Sequence, residues 1–236
     1  MKNIAIIPAR SGSKRIPHKN IRPFLGRPII SYSIQAALES ACFDVVMVST
    51  DSTEIAEIAL AQGAEVPFLR SQVNSNDYAT TSDVIVEVLS EYQNRETSFE
   101  SFCCLYSTAP FITGEILKKA YRQLHNNDAD SIIPVARYHH PILRSFSRTD
   151  RGELRYNYPQ HQNSRSQDLS SSYYDCGQFY WMNVEVFLQN KSLVTDKTHG
   201  ILMQESQIQD IDTEEDWIMA EIKYKALYHN QNLKSS

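Results

Sequence analysis

The chain is predicted to fold as an α/β protein, a doubly wound, mostly parallel sheet with helices on both faces. Three observations predict it. Up to residue 136, short apolar runs suited to buried strands alternate with amphipathic stretches at helical spacing. Several strands end in small and polar residues that a folded core does not need, and in such a sheet those ends converge on one crevice. After residue 137 short polar and aromatic runs such as Leu154-Arg155-Tyr156 replace the alternation, the pattern of hairpins rather than of further strand–helix–strand units.

Taken in order, residues 3–7 read as a buried strand broken at Pro8, and 27–39 as a helix with Pro28 near its first turn. Residues 45–49 are a strand, 53–62 a helix stopped at Gly63, and 65–69 a short strand. Residues 81–93 are a helix with Thr81 or Ser82 near its start, and 102–106 a strand running into Ser107-Thr108-Ala109-Pro110. Thr113 caps a helix reaching about residue 125, followed by a strand over 131–136. Residues 178–182 are a strand, 184–189 a short helix and 201–205 an edge strand. A last helix spans about 213–228 with Ile218, Ile222 and Leu227 as its apolar positions, and the tail after His229 is expected to be loose. The expectation is one domain over residues 1–236, with 137–175 as an insertion.

A chain of 236 residues, 42% hydrophobic and 22% charged, can bury a core without disulfides or metals. Its net charge of −5 argues against a general nucleic-acid binder, which would carry a basic face. Cys42, Cys103, Cys104 and Cys176 have neither zinc spacing nor a C-x-x-C pair, so they read as reduced thiols of a cytoplasmic protein. Cys103 and Cys104 are neighbours in a strand and should face opposite sides. No signal peptide and no stretch of transmembrane length is visible, so no membrane partner is expected.

The most informative stretch follows the first strand. Arg10, Lys14, Arg15 and Lys19 surround Ser11-Gly12-Ser13, between Ala9 and Asn20. Small residues let backbone N–H groups approach an anion, and the cations can follow phosphate oxygens as charge develops. The loop therefore reads as a triphosphate cradle, the alternative being a solvated basic turn. G-x-x-x-x-G-K-[ST] and G-x-G-x-x-G are both missing near the N-terminus, which points away from P-loop NTPases and dinucleotide-dependent redox enzymes.

Two further sets stand out. Asp210 and Asp212 flank Ile211, so in extended backbone they share a face and suit a magnesium ion that keeps waters and takes phosphate oxygens. Asp212 could equally cap the helix that begins near Thr213. Arg70, Thr81, Ser82 and backbone near Thr108 offer the donors and acceptors that a pyrimidine base requires, although Thr80-Thr81-Ser82-Asp83 could also be a plain helix cap. His139-His140 reads as a loop feature.

The loop resembles the signature I-P-A-R-x-x-S-K-x-x-P-x-K-N of the CMP-sialic acid synthetase family, matching at Ile7, Pro8, Ala9, Arg10, Ser13, Lys14, Pro17, Lys19 and Asn20. Ser11 stands where that family usually has glycine, a departure that matters only if the position needs positive φ. Residues 79–84 are similar to its A-T-S-x-D-V entry, 211–217 to its I-D-x-x-x-D-W, and 165–168 to its R-x-Q-D. The resemblance implies a Rossmann-like nucleotidyltransferase fold. It also implies transfer of CMP from CTP to the anomeric hydroxyl of an acidic nine-carbon sugar, with Mg2+ on Asp210 and Asp212 and release of pyrophosphate. Arg10, Lys14, Lys19 and Asp212 become the catalytic candidates. Ala9 to Ser13, Asn20, Arg70, Thr81, Ser82 and Thr108 become nucleotide contacts. Arg165, beside Gln167, becomes the clamp on the sugar carboxylate. The insertion is expected to reach a second subunit of a homodimer.

Departures from the sialic acid pattern at Arg15-Ile16-Pro17, 106–110 and 174–181 resemble the branch of the family that activates pseudaminic acid, a less hydroxylated diamino sugar. Tyr106, Asp175 and Gln178 are the candidate residues there. The rivals are activation of N-acetylneuraminate, legionaminate or KDO, and a non-catalytic nucleotide-binding regulator on the same fold.

Overall fold

In the computed structural model, which describes residues 2–232 with side chains to 228, β1 (Asn3–Pro8) lies deep in a sheet that is covered on both faces. Ala5 and Ile7 enter one apolar cluster and Ile4 and Ile6 another, because successive strand residues point to opposite sides. A hairpin of two-residue strands, β2 (Pro23–Phe24) and β3 (Arg27–Pro28), follows, turning through Leu25 and Gly26 at φ of 49° and 94°. This hairpin delays the first helix, α1 (Ile30–Ser40), to Ile30, three residues later than the sequence suggests. Next come β4 (Val45–Ser49), α2 (Thr53–Ala61), α3 (Thr81–Gln93), β5 (Ser101–Leu105), α4 (Gly114–Asn126) and β6 (Ser131–Arg137). The expected strand at 65–69 reduces to one bridge between Glu65 and Met47. Pro67 has no N–H to continue it.

The expected hairpin region holds β7 (Phe146–Arg148) paired with β8 (Leu154–Tyr156), outside the main sheet. The chain returns as β9 (Tyr173–Asp175) on β6, breaks at Cys176-Gly177, and resumes as β10 (Phe179–Asn183), followed by α5 (Val184–Asn190). The last strand, β11 (Thr198–Leu202), lies earlier than the expected 201–205, and Gly200, which has no Cβ, allows it to pass close to Val135 of β6. The sheet runs β11-β6-β10-β5-β1-β4. β9 and β10 are antiparallel to their neighbours and the remaining pairs are parallel. As expected from alternation, Cys103 and Cys104 fall in opposite clusters.

The closing helix, α6 (Glu214–Asn232), runs past the expected start of the loose tail, and residues 233–236 of that tail lie outside the described residues. Of its expected apolar positions only Leu227 packs inward. Trp217 and Ala220 are buried and Tyr224 and Leu227 partly so, whereas Ile218 and Ile222 are 58% and 54% exposed. The aromatic ring of Phe24 decides this, taking Trp217 and Tyr224 edge-on at 5.7 and 5.6 Å.

Candidate active site

The carboxyl ends of β1 and β5, with Arg70 bonded to the end of β4, open into a cavity of about 700 Å3. Its wall after β1 is the cationic loop, and buried bonds hold that loop in place. The Ala9 N–H donates to the Ser49 carbonyl at 2.9 Å. Asn20 Nδ2 donates to the Arg10 carbonyl at 2.8 Å, and Asn20 Oδ1 accepts from Ser107 Oγ at 2.8 Å. The tip is tied outwards, with Ser11 N–H and Oγ donating to the two oxygens of Asp51 at 2.8 and 2.7 Å. Ser13 N–H donates to the Ser11 carbonyl at 2.9 Å. Ala9, Ser11 and Gly12 therefore do not line the cavity, while Ser13 and Asn20 do. Of this loop, Arg10, Ser13, Lys14, Arg15, Lys19 and Asn20 line the cavity. Neither Ser11 nor Gly12 has positive φ, so serine in place of glycine at residue 11 introduces no strain.

Four cations of this loop meet two carboxylates. Arg10 Nη1 donates to the Asn76 carbonyl at 3.0 Å and lies 3.0 Å from Asp77, which Lys14 also grips. Arg15 Nη1 is 2.9 Å from Asp212. Lys19 Nζ donates to the Ile211 carbonyl at 2.7 Å and sits 3.4 Å from Asp212. The hydrogen bond from Lys14, with the charges of Lys14 and Arg10, holds the Asp77 carboxyl below its ordinary range.

Ile211 is buried in the α6 cluster, which turns both neighbouring aspartates outward. Asp210 lines the cavity and carries no ion pair among the described residues. Desolvation, then the charge of Asp212, push its carboxyl up, against the opposing pull of Lys19. Asp212 is not the helix cap. Thr213 accepts from Asp216 N–H at 3.2 Å while Asp216 accepts from Thr213 N–H at 2.8 Å, a reciprocal capping box. Asp212 is thereby left to the loop cations. Among the described residues no group of three or more His, Cys, Asp or Glu could hold a metal, so a cation here would rest on these two carboxylates and on ligand oxygens.

On the β4 side, buried Arg70 donates through Nε to Ser49 Oγ at 2.9 Å and through Nη2 to the Ser49 carbonyl. Burial opposes its charge, while Asp51 and Glu87 favour it. Thr80 caps α3 with Asp83 in another capping box, and Thr80 and Thr81 face the cavity. Ser82, one step further round the helix, does not. Thr108 does.

On the β10 side, Tyr106 lines the cavity and shares a hydrogen bond with Thr81 Oγ1 at 3.1 Å. Gln178 is turned into the core, donating to the Gln207 carbonyl at 3.2 Å, with Oε1 lacking a partner among the described residues. Asp175 stands behind Tyr180 and accepts its hydroxyl at 2.6 Å. Arg165 and Gln167 are exposed in a short turn and do not reach the cavity within this chain. His139 pairs with Glu205, away from the cavity.

Sequence reasoning missed Asp77 and the role of Asp51, while Thr80 stands as the helix cap that the sequence suggests and Tyr180 lies in the 174–181 stretch already marked. The run Ser49-Thr50-Asp51 marks a strand end, and Asn74-Ser75-Asn76-Asp77 marks a polar turn, but neither names its cationic partner.

A cytidylyltransferase family model matches residues 4–226. The chain is 40% identical over 225 residues to the pseudaminic acid cytidylyltransferase of Campylobacter jejuni, covering 95% of this chain and 97% of the relative. It is 32% identical over 228 residues to the CMP-N,N'-diacetyllegionaminic acid synthase of Legionella pneumophila, covering 94% and 95%. Among solved structures, a CMP:2-keto-3-deoxy-manno-octonic acid synthetase complexed with CTP aligns with a TM-score of 0.69 at 18% identity, over 98% of this chain and 100% of the other. The 4-diphosphocytidyl-2C-methyl-D-erythritol synthase of Anaerococcus prevotii aligns at 0.62 and 15% identity, over 95% and 98%. At those identities the structural likeness shows the shared Rossmann-like nucleotidyltransferase fold.

Proposed function

This chain belongs to the cytidylyltransferase family, and from that premise we propose that it transfers CMP from CTP to the anomeric hydroxyl of a nonulosonic acid, pseudaminic acid, releasing pyrophosphate. One observation carries the reading. Arg10, Lys14 and Lys19 all line the cavity, where Arg10 and Lys14 meet the carboxylate of Asp77 and Lys19 lies 3.4 Å from that of Asp212. Phosphoryl transfer asks for alignment and charge stabilisation rather than covalent chemistry, and such a cluster supplies both. On this reading the triphosphate displaces Asp77 from Arg10 and Lys14. Arg70, Thr81 and backbone near Thr108 receive the cytosine.

Asp210 and Asp212 would hold Mg2+. The donor set fits, because Asp210 lacks a cation partner among the described residues and its carboxyl is pushed up without one. Bound there, the ion would neutralise charge on the phosphate oxygens. Lys19, bonded to the Ile211 carbonyl, keeps that pair facing the loop.

The sugar carboxylate is assigned to Arg165, assisted by Gln167. Both are exposed here, on an insertion that also exposes Phe146, Leu154 and Tyr173. A homodimer in which the insertion covers the partner's cavity would bring them to the substrate. The nucleotide substrate and the unbridged cysteines fit a cytoplasmic setting, and no helix among the described residues is long and apolar enough to cross a membrane.

The test is incubation with CTP, Mg2+ and, separately, pseudaminic, legionaminic, N-acetylneuraminic and KDO acids, read by mass spectrometry and pyrophosphate release. The expected result is a CMP conjugate of pseudaminic acid with little from N-acetylneuraminic acid. Equal kcat/KM for those two acids overturns the choice of sugar, and CTP binding without pyrophosphate release supports the non-catalytic regulator instead.

A further inference from the structure

Two cations of the loop after β1 reach Asp212, and they are held in different ways. Lys19 Nζ, 3.4 Å from Oδ1, also donates to the Ile211 carbonyl at 2.7 Å, and its side chain is only 22% exposed. Arg15 Nη1 donates to Oδ2 at 2.9 Å and its side chain is 69% exposed. Among the described residues Arg15 has no other ion pair or side-chain hydrogen bond. Lys19 is built into the wall, whereas the guanidinium is held by Asp212 alone.

The backbone on both sides of this pair is fixed. Ile16 and Ile211 are buried in one cluster with Trp217, which sets Arg15 and Asp212 side by side across 197 residues. The Asp212 N–H donates to Asp216 at 3.1 Å, tying that backbone to the cap of α6. What can move is the arginine side chain, long and rich in rotamers. It lines the cavity together with Arg10, Lys14 and Lys19. Asp210 lines the same cavity and has no cation partner among the described residues. A divalent ion shared by the two aspartates would therefore find Asp210 open and Asp212 covered. A guanidinium on Oδ2 and an ion on the same oxygen would be like charges side by side, and they repel.

We propose that Arg15 is a positioning residue that covers Asp212 in place of the divalent cation, and that it moves to the triphosphate when CTP enters, opening the carboxylate to the ion. This rests on the reading given above, with CTP as substrate and Asp210 and Asp212 as metal ligands, and deepens it. Charge stays balanced through the exchange. Without nucleotide, Arg15 and Lys19 offset Asp212. With it, the polyanion supplies the negative charge that draws the guanidinium and accommodates the ion. The planar fork of arginine suits phosphate oxygens as well as carboxylate ones. The ion pair given up is exposed and therefore weak, so little opposes the move. Nucleotide and metal then favour each other's binding through one side chain, and such coupling is reciprocal.

The test reads binding without turnover, on the full chain. Mn2+ is titrated into nucleotide-free protein and followed by electron paramagnetic resonance, and CTP is titrated in EDTA and followed by calorimetry. Arg15→Ala is expected to tighten Mn2+ about fivefold, the size of one exposed ion pair. The same variant is expected to weaken CTP about tenfold, the size of a charged hydrogen bond. A substitution that merely loosened the loop would weaken both. Arg15→Lys keeps the charge and should stay near the wild type for Mn2+, and all variants should melt like the wild type. Asp212→Asn should weaken Mn2+ with or without Arg15→Ala, which locates the ion. If Mn2+ binding ignores Asp212→Asn, the metal reading falls and this proposal with it. If Asp212→Asn weakens Mn2+ while a folded Arg15→Ala protein binds it no better than the wild type, the proposal alone is overturned. Unchanged CTP affinity in that protein overturns it as well, because the guanidinium then goes elsewhere than to the triphosphate.

Discussion

Residues 10–20 and residues 137–175 are the two excursions that leave the sheet with anion-seeking side chains, and they are held very differently. The first is short and pinned at both ends, by Ala9 on Ser49 and by Asn20 between Arg10 and Ser107. Its cations are further fixed by Asp77 and Asp212. The second is long and carries exposed side chains on β7 and β8. Arg165 within it bonds to its own turn and not to the cavity. A short loop anchored on buried backbone has its geometry decided by the sheet. A long one needs another surface to decide it.

The comparison can be broken most sharply at Lys19. Lys19→Ala should lower kcat by about a hundredfold to a thousandfold, because a preorganised cation acts on charge that develops in the transition state. Circular dichroism and melting temperature should stay near those of the wild type. A folded variant with full turnover would remove the pinned loop from the chemistry.

Arg165→Ala sharpens the other side. It should raise KM for the acidic sugar about tenfold to a hundredfold, the value of a charged hydrogen bond, with CTP affinity unchanged. If the insertion serves a second copy, mixing Arg165→Ala with Lys19→Ala protein should restore, at sugar concentrations well below KM, a kcat/KM that neither shows alone. No restoration in a mixture shown to exchange subunits would place Arg165 in its own chain's site.

A smaller effect is expected at Asp77. If it stands in for phosphate, Asp77→Asn should tighten CTP binding a few-fold in titration calorimetry, and the gain should shrink as salt rises. Weaker binding would mean that Asp77 positions Arg10 and Lys14 rather than competing for them.

The smallest effect on turnover belongs to Thr213, which shapes the helix behind Asp212 rather than the site. Thr213→Ala should cost about 1 kcal/mol of stability in urea unfolding, the usual value of a lost cap. Hydrogen bonds from Thr213 hold the Asp216 carboxyl below its ordinary range. A depressed carboxyl contributes stability above its unfolded pKa and loses it as pH falls through the folded value. The gap between variant and wild type should therefore be complete at neutral pH and close only in acid. A large loss of turnover would show that the cap also steers Asp212.

Much of this was legible before folding. The strand at 45–49, the helix at 81–93 and the cap at Thr113 stand where the residues placed them, since periodicity and capping act over a few positions. The strand at 65–69 failed because Pro67 ended it after one bridge. The buried face of α6 was misread because Ile218 and Ile222 are apolar, while the partner that selected Trp217 and Tyr224 was Phe24, far away in the chain.

By itself the sequence determined the alternating α/β order, the cationic loop after β1, the outward pair Asp210 and Asp212, and a resemblance strong enough to name a family. Only the tertiary structure decided what those groups meet. Lys14 finds Asp77 across 63 residues, and Arg15 finds Asp212 across 197. Ser82 and Gln178 turn away from the cavity while Tyr180 lines it. Local propensity reaches about one helical turn, whereas a charge pair is set by whichever strand the crossover connections bring alongside.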